Sequence, residues 1–257
     1  MAKDNFPVSV NLFLLLGLVI ASFFVNAFNV EIFLWLNSIH SNLSDLFWIS
    51  MTTLGDGLLL GIILGMFILV NPRITAFGLA LLIAASISAN LIKMIIPLSR
   101  PAEVLETIHF MGPVLRSGSF PSGHSAAAMA TAVALVRFSE SQILKFILVS
   151  FGLFVGLSRI FVGAHFPNDV VWGIIVALLV YEFLATYLWP PIEYYVPETP
   201  PYRNRFFQAL VFVQIIVSLF CLVIYSRIYA EYPPAAIAIS TGVLTFFLGA
   251  AFKSFRN

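Results

Sequence analysis

The chain has 257 residues, of which 60% are hydrophobic and only 10% are charged, and its formal net charge at pH 7 is +1. Soluble domains contain about 45–50% apolar and about 25% charged residues, so this composition is typical of a membrane protein. The small net charge excludes a global field that would recruit nucleic acid. The single cysteine, Cys221, excludes an internal disulfide framework and a cysteine-rich metal site.

Apolar segments long enough to cross a bilayer recur along the whole chain. About 20 mostly apolar residues cover a hydrocarbon core of roughly 30 Å. We therefore predict an all-α fold, a polytopic transmembrane helix bundle. The predicted spans are residues 8–28, 47–70, 74–96, 122–138, 143–160, 169–189, 207–229 and 234–252.

A proline-rich segment from Pro190 to Arg205 is the best internal boundary. It predicts a six-span core in residues 1–190 and a C-terminal two-helix hairpin in residues 191–257. The first apolar stretch has no clean small-residue cleavage site, so we interpret it as a retained span, with an uncleaved signal-anchor as the alternative.

The basic residues predict the orientation of the bundle. With an even number of spans both termini share one side, which carries eight of the thirteen lysines and arginines. The positive-inside rule therefore predicts cytoplasmic termini. Four of the five remaining cations gather in two loops on the opposite side, which indicates a need for positive charge there. They are Lys93, Arg100, Arg116 and Arg159.

The first polar cluster follows the third predicted span. Pro97 cannot donate a hydrogen bond to the carbonyl of Lys93, so the helix should end or kink there. This would turn Lys93 and Arg100 toward one pocket at the membrane surface. The alternative is that both side chains only extend their charged ends to the interface.

The second cluster, Pro-Ser122-Gly123-His124-Ser125, opens the fourth span. A serine cap, a glycine and the free N–H groups of a helix start form a cradle for an anion. His124 would stand at its edge. An ordinary capped helix with an interfacial histidine is the alternative.

The third cluster joins the fifth and sixth spans and contains Ser158, Arg159, His165 and Asp169. The spacing of His165 and Asp169 lets the carboxylate accept a proton from one imidazole nitrogen, which would leave the other nitrogen nucleophilic. Asp169 could instead serve as the N-cap of the sixth span.

Together, Lys-x6-Arg-Pro, Pro-Ser-Gly-His and Ser-Arg-x5-His-x3-Asp resemble the signature of the type 2 phosphatidic acid phosphatase superfamily. These are lipid phosphate phosphatases related to the vanadium haloperoxidases. All eleven specified residues occur in order between Lys93 and Asp169. The six-span core resembles the membrane branch of that family, whereas the hairpin beyond Arg205 lies outside the family pattern.

The resemblance implies that His165 attacks phosphorus to form a phosphohistidine, that Asp169 orients His165, and that His124 protonates the leaving alkoxide. Phosphoryl transfer also needs cations and donors around the phosphate oxygens. No cofactor or metal is expected, because the nearby acids are too few for a two-metal centre. The expected phosphate-binding residues are Lys93, Arg100, Ser122, Gly123 and Arg159.

The expected partners are a phosphorylated membrane lipid, the bilayer and water as phosphoryl acceptor, with no nucleic acid. By family analogy the lipid is undecaprenyl diphosphate, phosphatidylglycerophosphate, phosphatidate or lipid A. A bacterial inner membrane is the expected location, with the site on the periplasmic or external face. The alternatives are a phosphotransferase of the same superfamily, an inactive structural member, and a membrane transporter.

Two further charged residues carry hypotheses. Asp56, in the second predicted span, is expected either to contact the active-site residues or the lipid headgroup from below, or to pair with a buried cation. Arg116 is a candidate ligand for the second phosphate of a diphosphate lipid, although a plain interfacial hairpin also explains its loop.

Overall fold

The structure is a computed structural model that describes residues 8–112 and 118–228. Within these ranges every regular element is helical. The helices are α1 (Val8–Ala27), α2 (Asn29–Asn37), α3 (Asn42–Leu54), α4 (Gly57–Met66), α5 (Pro72–Ile95), α6 (Pro101–Val104), α7 (Gly123–Arg137), α8 (Gln142–Phe161), α9 (Pro167–Phe183), α10 (Trp189–Glu193) and α11 (Arg205–Ile228).

Three helical stretches are long and apolar enough to cross a membrane: α5, α8, and the stretch Pro167–Glu193 that joins α9 to α10. The pairs α1–α2 and α3–α4 qualify only when each bent pair is taken as one span, with bends of 80° and 62°. The all-α, polytopic class is therefore confirmed, with three to five apolar spans in the described part of the chain. The six-span core and its boundary at residue 190 stay predictions.

The predicted spans 74–96, 122–138, 143–160 and 169–189 agree closely with α5, α7, α8 and Pro167–Glu193. Helix α7 has only 15 residues. At 1.5 Å per residue it reaches about 22 Å, less than the thickness of a typical hydrocarbon core. Hydropathy located this helix but did not show that it is too short to cross alone.

The predicted span 47–70 is broken in the structure. Helix α3 ends at Leu54, and Asp56 caps α4, where its carboxylate accepts a hydrogen bond from the N–H of Leu58 (2.8 Å). At the break, Gly55 packs so closely on α8 that a Cβ would collide with Val155. The break escapes a hydropathy scan because α4 is as apolar as an unbroken span.

Helix α7 lies at the centre of the bundle, in contact with α5, α8 and α9. Its small residues from Ala126 to Ala130 are buried. In α9, a Cβ on Gly173 would lie 2.5 Å from the carbonyl oxygen of Ser122 and 2.9 Å from Cβ of Ser125. Small residues let helices approach closely. This contact holds the beginning of α7 against the beginning of α9.

Helices α2 and α3 cover the end of α8. The Asn37 side chain donates hydrogen bonds to the carbonyl oxygens of Ile160 (3.3 Å) and Phe161 (3.1 Å). Trp48 of α3 stacks on Phe161, with ring centroids 3.9 Å apart and planes only 5° from parallel. The turn that follows α8 is therefore enclosed by two helices from the N-terminal quarter of the chain.

Helix α11 packs beside α4, where Phe207 and Val211 are buried against Ile62 and Leu69. It agrees with the predicted span 207–229. The predicted span 234–252, the second half of the hairpin and both chain ends lie outside the described residues, so the predicted side of the termini stays a prediction.

Candidate active site

Four helix ends meet at one end of the bundle: the end of α5, the beginning of α7, the end of α8 and the beginning of α9. The three polar clusters lie at these ends, so the structure brings them together although they are far apart in the chain. Arg73, Arg137 and Lys145 lie at the opposite ends of α5, α7 and α8.

Lys93 lies in the last turn of α5, which ends at Ile95, two residues before Pro97. Its Nζ donates hydrogen bonds to the carbonyl oxygens of Gly118 and Ser119, both at 3.0 Å. The ammonium group is thus fixed beside the segment that leads into α7. The contacts bring this cation inside the cluster rather than out to the interface.

Arg100 is 5% exposed, although it lies in the loop after α5. Its guanidinium group donates to the carbonyl oxygens of Ala164 (2.9 Å) and Gly118 (3.4 Å). Its Nη1 also lies 3.3 Å from Nε2 of His165. Arg100 therefore connects the first polar cluster directly to the third.

The beginning of α7 has the geometry of an anion cradle. Ser122 caps the helix, and its Oγ accepts hydrogen bonds from the N–H (3.4 Å) and Oγ (2.9 Å) of Ser125. A Cβ placed on Gly123 would meet nothing within 4 Å, which leaves space beside the free N–H groups. The half-buried His124 is within electrostatic range of His165 and of the cations Lys93, Arg100 and Arg159.

His165 is 2% exposed and has partners on both sides of its ring. Nδ1 lies 3.4 Å from Oδ2 of Asp169 and 3.3 Å from Oγ of Ser119, whereas Nε2 faces Arg100. Arginine can only donate, so Nε2 is the acceptor and Nδ1 carries the proton. This tautomer leaves a lone pair on Nε2, the nitrogen that faces the cations.

The pKa of His165 is held well below its usual value, first because burial penalises the imidazolium and then because Arg159, Arg100 and Lys93 are nearby cations. The neutral form therefore prevails at neutral pH. A neutral imidazole with a free lone pair is the form required of a nucleophile.

Asp169 is the third residue of α9 rather than its N-cap, because the cap position is Phe166. Oδ2 of Asp169 accepts a hydrogen bond from the N–H of Phe166 (3.0 Å) as well as facing His165. The same carboxylate oxygen thus contacts both the N-terminus of the helix and the imidazole.

Ser119 was missed by the sequence analysis. It is fully buried, and its Oγ donates to Oδ2 of Asp169 at 2.5 Å. Because that hydroxyl proton is committed to Asp169, the Oγ lone pairs face Nδ1 of His165. A serine in a loop carries no distinctive signal, and only the fold places it between the two residues.

Arg159 is 6% exposed, and its guanidinium group donates to Oγ1 of Thr52 in α3. Thr52 was also missed, since a threonine in an apolar helix gives no indication of a polar partner 107 positions away. Asp56 lies shortly after it, at the α3–α4 break, where it caps α4. Arg116 lies outside the described residues, so its hypothesis is neither supported nor contradicted.

Comparison with known proteins gives a family match for the middle of the chain. Residues 73–193 match the model of the PAP2 superfamily. The undecaprenyl-diphosphatase BcrC of Bacillus subtilis (strain 168) is 40% identical over 77 residues, which are 30% of this chain and 39% of that protein. The match thus spans well under half of that relative.

Two crystal structures share the fold. The LpxE structure from Aquifex aeolicus has a TM-score of 0.58 at 24% identity, over 73% of this chain and 100% of that chain. The PAP2 type phosphatidylglycerolphosphate phosphatase from Bacillus subtilis has a TM-score of 0.54 at 21% identity, over 69% of this chain and 94% of that chain. The matched segment, residues 73–193, contains the complete signature, and this segment is similar to the type 2 phosphatidic acid phosphatase (PAP2) superfamily.

Proposed function

We propose that this membrane protein hydrolyses the phosphate group of a lipid through a phosphohistidine on His165. The observation that carries the proposal is the orientation of His165, whose Nδ1 faces Asp169 and Ser119 and whose Nε2 faces Arg100. An unprotonated nitrogen of a neutral imidazole, beside cations, is suited to attack phosphorus. A histidine that only closed the end of a helix would not need an acceptor at Nδ1 and a cation at Nε2.

In the first step the Nε2 lone pair of His165 forms the N–P bond to the terminal phosphorus while the bond from that phosphorus to the leaving oxygen breaks. The leaving oxygen belongs to the lipid alcohol in a phosphomonoester and to the lipid-linked phosphate in a diphosphate. His124, which carries a proton when the bound phosphate anion offsets the surrounding cations, transfers that proton to the leaving oxygen. The product lipid leaves with that proton, and the phosphoryl group stays on His165. The imidazolium that develops on His165 keeps its Nδ1 proton toward Asp169, whose negative charge stabilises it.

In the second step His124, now neutral, accepts a proton from a water molecule as that water attacks phosphorus. The N–P bond breaks, inorganic phosphate leaves, and both histidines return to their starting states. Lys93, Arg100 and Arg159 stabilise the charge on the equatorial oxygens, and Ser122 with the N–H groups beside Gly123 completes the cradle. In this scheme the chemistry requires no metal or cofactor.

Ser119 is proposed as a positioning residue. Its hydrogen bond to Asp169 fixes the carboxylate while its Oγ faces His165. Removal of the hydroxyl in Ser119→Ala frees Asp169 to rotate, so kcat should fall more than KM rises. Ser119→Thr, which keeps the hydroxyl, should recover part of the loss.

An undecaprenyl diphosphate-like lipid is the first candidate substrate, because the 40% identical relative is an undecaprenyl-diphosphatase. Phosphatidylglycerophosphate, phosphatidate and lipid A remain the other candidates. Exposed apolar side chains cover the surface of α1, including Phe13, Phe23 and Phe24, and suit a bilayer around the bundle. We further propose the inner membrane, with the site on the periplasmic or external face.

The test measures phosphate release by the purified full chain in detergent, on these four lipids, with and without a chelator in the assay. Wild type should release phosphate from at least one lipid under both conditions. His165→Ala should lose roughly 10³-fold or more, because without the nucleophile the covalent route is closed. Retention of near wild-type release by His165→Ala would overturn the proposed mechanism. Transfer of the phosphoryl group to an added lipid or sugar instead of water would identify a phosphotransferase.

A further inference from the structure

A second group of polar side chains lies outside the signature segments. It contains His40, in the turn between α2 and α3, Asp45, in the first turn of α3, and His109, in the loop after α6. Each can offer one ligand atom, and these atoms all lie within 4.8 Å of one another. The fold, and not the local sequence, brings the group together, because His109 is far from the other two residues along the chain.

The three side chains of this trio are in direct contact with one another. Nε2 of His109 lies 3.0 Å from Oδ2 of Asp45. The rings of His40 and His109 stack, with centroids 4.2 Å apart and planes 11° from parallel. Ligand atoms about 2.0–2.2 Å from a tetrahedral zinc ion lie roughly 3.4 Å from one another. The exposed His40 side chain would rotate out of this stack to bring a ring nitrogen to the ion.

The second carboxylate oxygen of Asp45 is a further sign of a missing ligand. Oδ1 is buried and has no hydrogen-bond partner among the described residues. A buried carboxylate oxygen without a partner is costly, because it has lost its water without replacement. A cation at the trio would compensate the charge of this carboxylate.

The ligand types select the class of metal. Two imidazoles and one carboxylate suit zinc and related divalent transition metals, whereas magnesium prefers sites made of oxygen ligands. Three protein ligands leave a fourth position for water. His40 is exposed, so that position can be reached from solvent.

The loop that carries His109 is connected to the active-site turn. The Asn37 side chain holds the backbone of His109 by two hydrogen bonds. The N–H of His109 donates to Oδ1 of Asn37 (2.8 Å), and the carbonyl oxygen of His109 accepts from Nδ2 of Asn37 (2.8 Å). Two residues on, the N–H of Met111 donates to the carbonyl oxygen of Val162 (3.0 Å). Val162 lies in the turn between α8 and His165.

Gly163 makes the same connection tighter. Its φ is +76°, and a Cβ there would lie 2.6 Å from the carbonyl oxygen of His109. The backbone of the His109 loop is thus in direct contact with the turn that positions His165. A cation held by the trio would fasten this loop to α3.

We propose that His40, Asp45 and His109 bind a divalent transition metal of the zinc class, with water as the fourth ligand, and that this ion fastens the loop over the active-site turn to the beginning of α3. The site is separate from the phosphate-binding residues and takes no part in the chemistry. The proposal does not depend on the proposed phosphatase activity.

The test uses the full chain in detergent, without an affinity tag and after chelator treatment and removal of the chelator. Titration calorimetry with zinc chloride should show one saturable site per chain, and magnesium chloride should not reproduce it. Zinc should also raise the thermal unfolding temperature of the protein, since a ligand that binds the folded state stabilises it.

His40→Ala and Asp45→Asn should each weaken zinc binding at least tenfold and remove the zinc-dependent rise in unfolding temperature. Glu106→Gln, at an exposed carboxylate of the same loop outside the trio, is the matched control and should bind zinc as wild type does. The proposal is overturned if zinc does not saturate one site, if magnesium binds equally well, or if both trio variants keep wild-type affinity. The calorimetric titrations and the unfolding temperatures do not depend on phosphate release, so a failure here is distinguishable from a failure of the proposed function.

Discussion

The two ends of the bundle hold their cations by different means. At one end of α5, Arg73 is 26% exposed in its side chain, with the carboxylates of Glu193 and Glu198 at 3.6 and 3.7 Å. At the other end of the same helix, the ammonium group of Lys93 is held by two backbone carbonyl oxygens. One helix thus carries a cation paired with carboxylates and a cation positioned by dipoles.

This difference indicates what each end is built to do. A carboxylate cancels the unit charge of its partner, whereas a carbonyl oxygen contributes only a partial charge. The positive charge of Lys93 is therefore only partly compensated by the two carbonyl oxygens, and it can still attract an anion. Surface pairs such as Arg73 with Glu193 contribute little to stability. The arrangement around Lys93 suits the phosphate-binding role that we propose for it.

The largest contrast is expected at the beginning of α7. His124→Ala should lower phosphate release from a lipid phosphate by roughly 10²–10⁴-fold, because the alkoxide leaves unprotonated. With p-nitrophenyl phosphate, whose leaving group needs no proton, the loss should be much smaller. Parallel kinetics on the two substrates measure this, and equal losses on both would contradict the role of His124 as general acid.

Exchange of the two α5 cations for neutral residues sharpens the comparison directly. Lys93→Gln should lower kcat/KM about 10²-fold, since one donor to the phosphate oxygens is lost. Arg73→Gln, the matched control on the same helix, should change kcat/KM less than threefold, roughly the scale of a surface substitution. Similar losses in both variants would show that the two ends do not differ in function.

The dependence of activity on pH tests the cations around His165. Its lowered pKa predicts that the acidic limb of the kcat/KM profile lies below the usual value for histidine. Arg100→Gln removes a positive charge that opposes protonation, so the pKa should rise and activity should be lost at a higher pH on acidification. The normalised profiles of the two proteins give the comparison. A shift toward lower pH would contradict the assigned electrostatics.

The smallest effect is expected at the opposite end. Glu193→Gln removes one partner of Arg73, leaves Glu198 in place, and should change the free energy of unfolding by about 0–1 kcal/mol. Thermal unfolding in detergent checks this, with phosphate release as a second readout that should not move. A large loss of stability would show that this end carries more than a surface ion pair.

Several features of the fold could be predicted from local patterns. Hydropathy located α5, α7, α8 and the stretch Pro167–Glu193, because a lipid environment requires long apolar segments. The same reasoning failed to show the break at Asp56. Capping of α4 by Asp56 and the contact of Gly55 with Val155 depend on local backbone geometry and on a distant helix, neither of which changes mean hydropathy.

The candidate site divides in the same way. The motif residues from Lys93 to Asp169 could be named in advance, because their types and spacings resemble a known signature. The roles of Ser119 and Thr52 could not, since each depends on a partner brought close by the fold. The proximity of His40, Asp45 and His109 could not be predicted either, because no motif joins these three residues.

By itself, the sequence determined the membrane class and the main helices, since these follow from composition and local spacing, and its resemblance to a known signature supplied the candidate residues for phosphoryl transfer. Only the tertiary structure decided which nitrogen of His165 faces the cations, where Asp56 breaks a span, and which residues of the N-terminal quarter enclose the site. Those features depend on contacts between helices that are distant in the chain, and no local pattern of residues contains them.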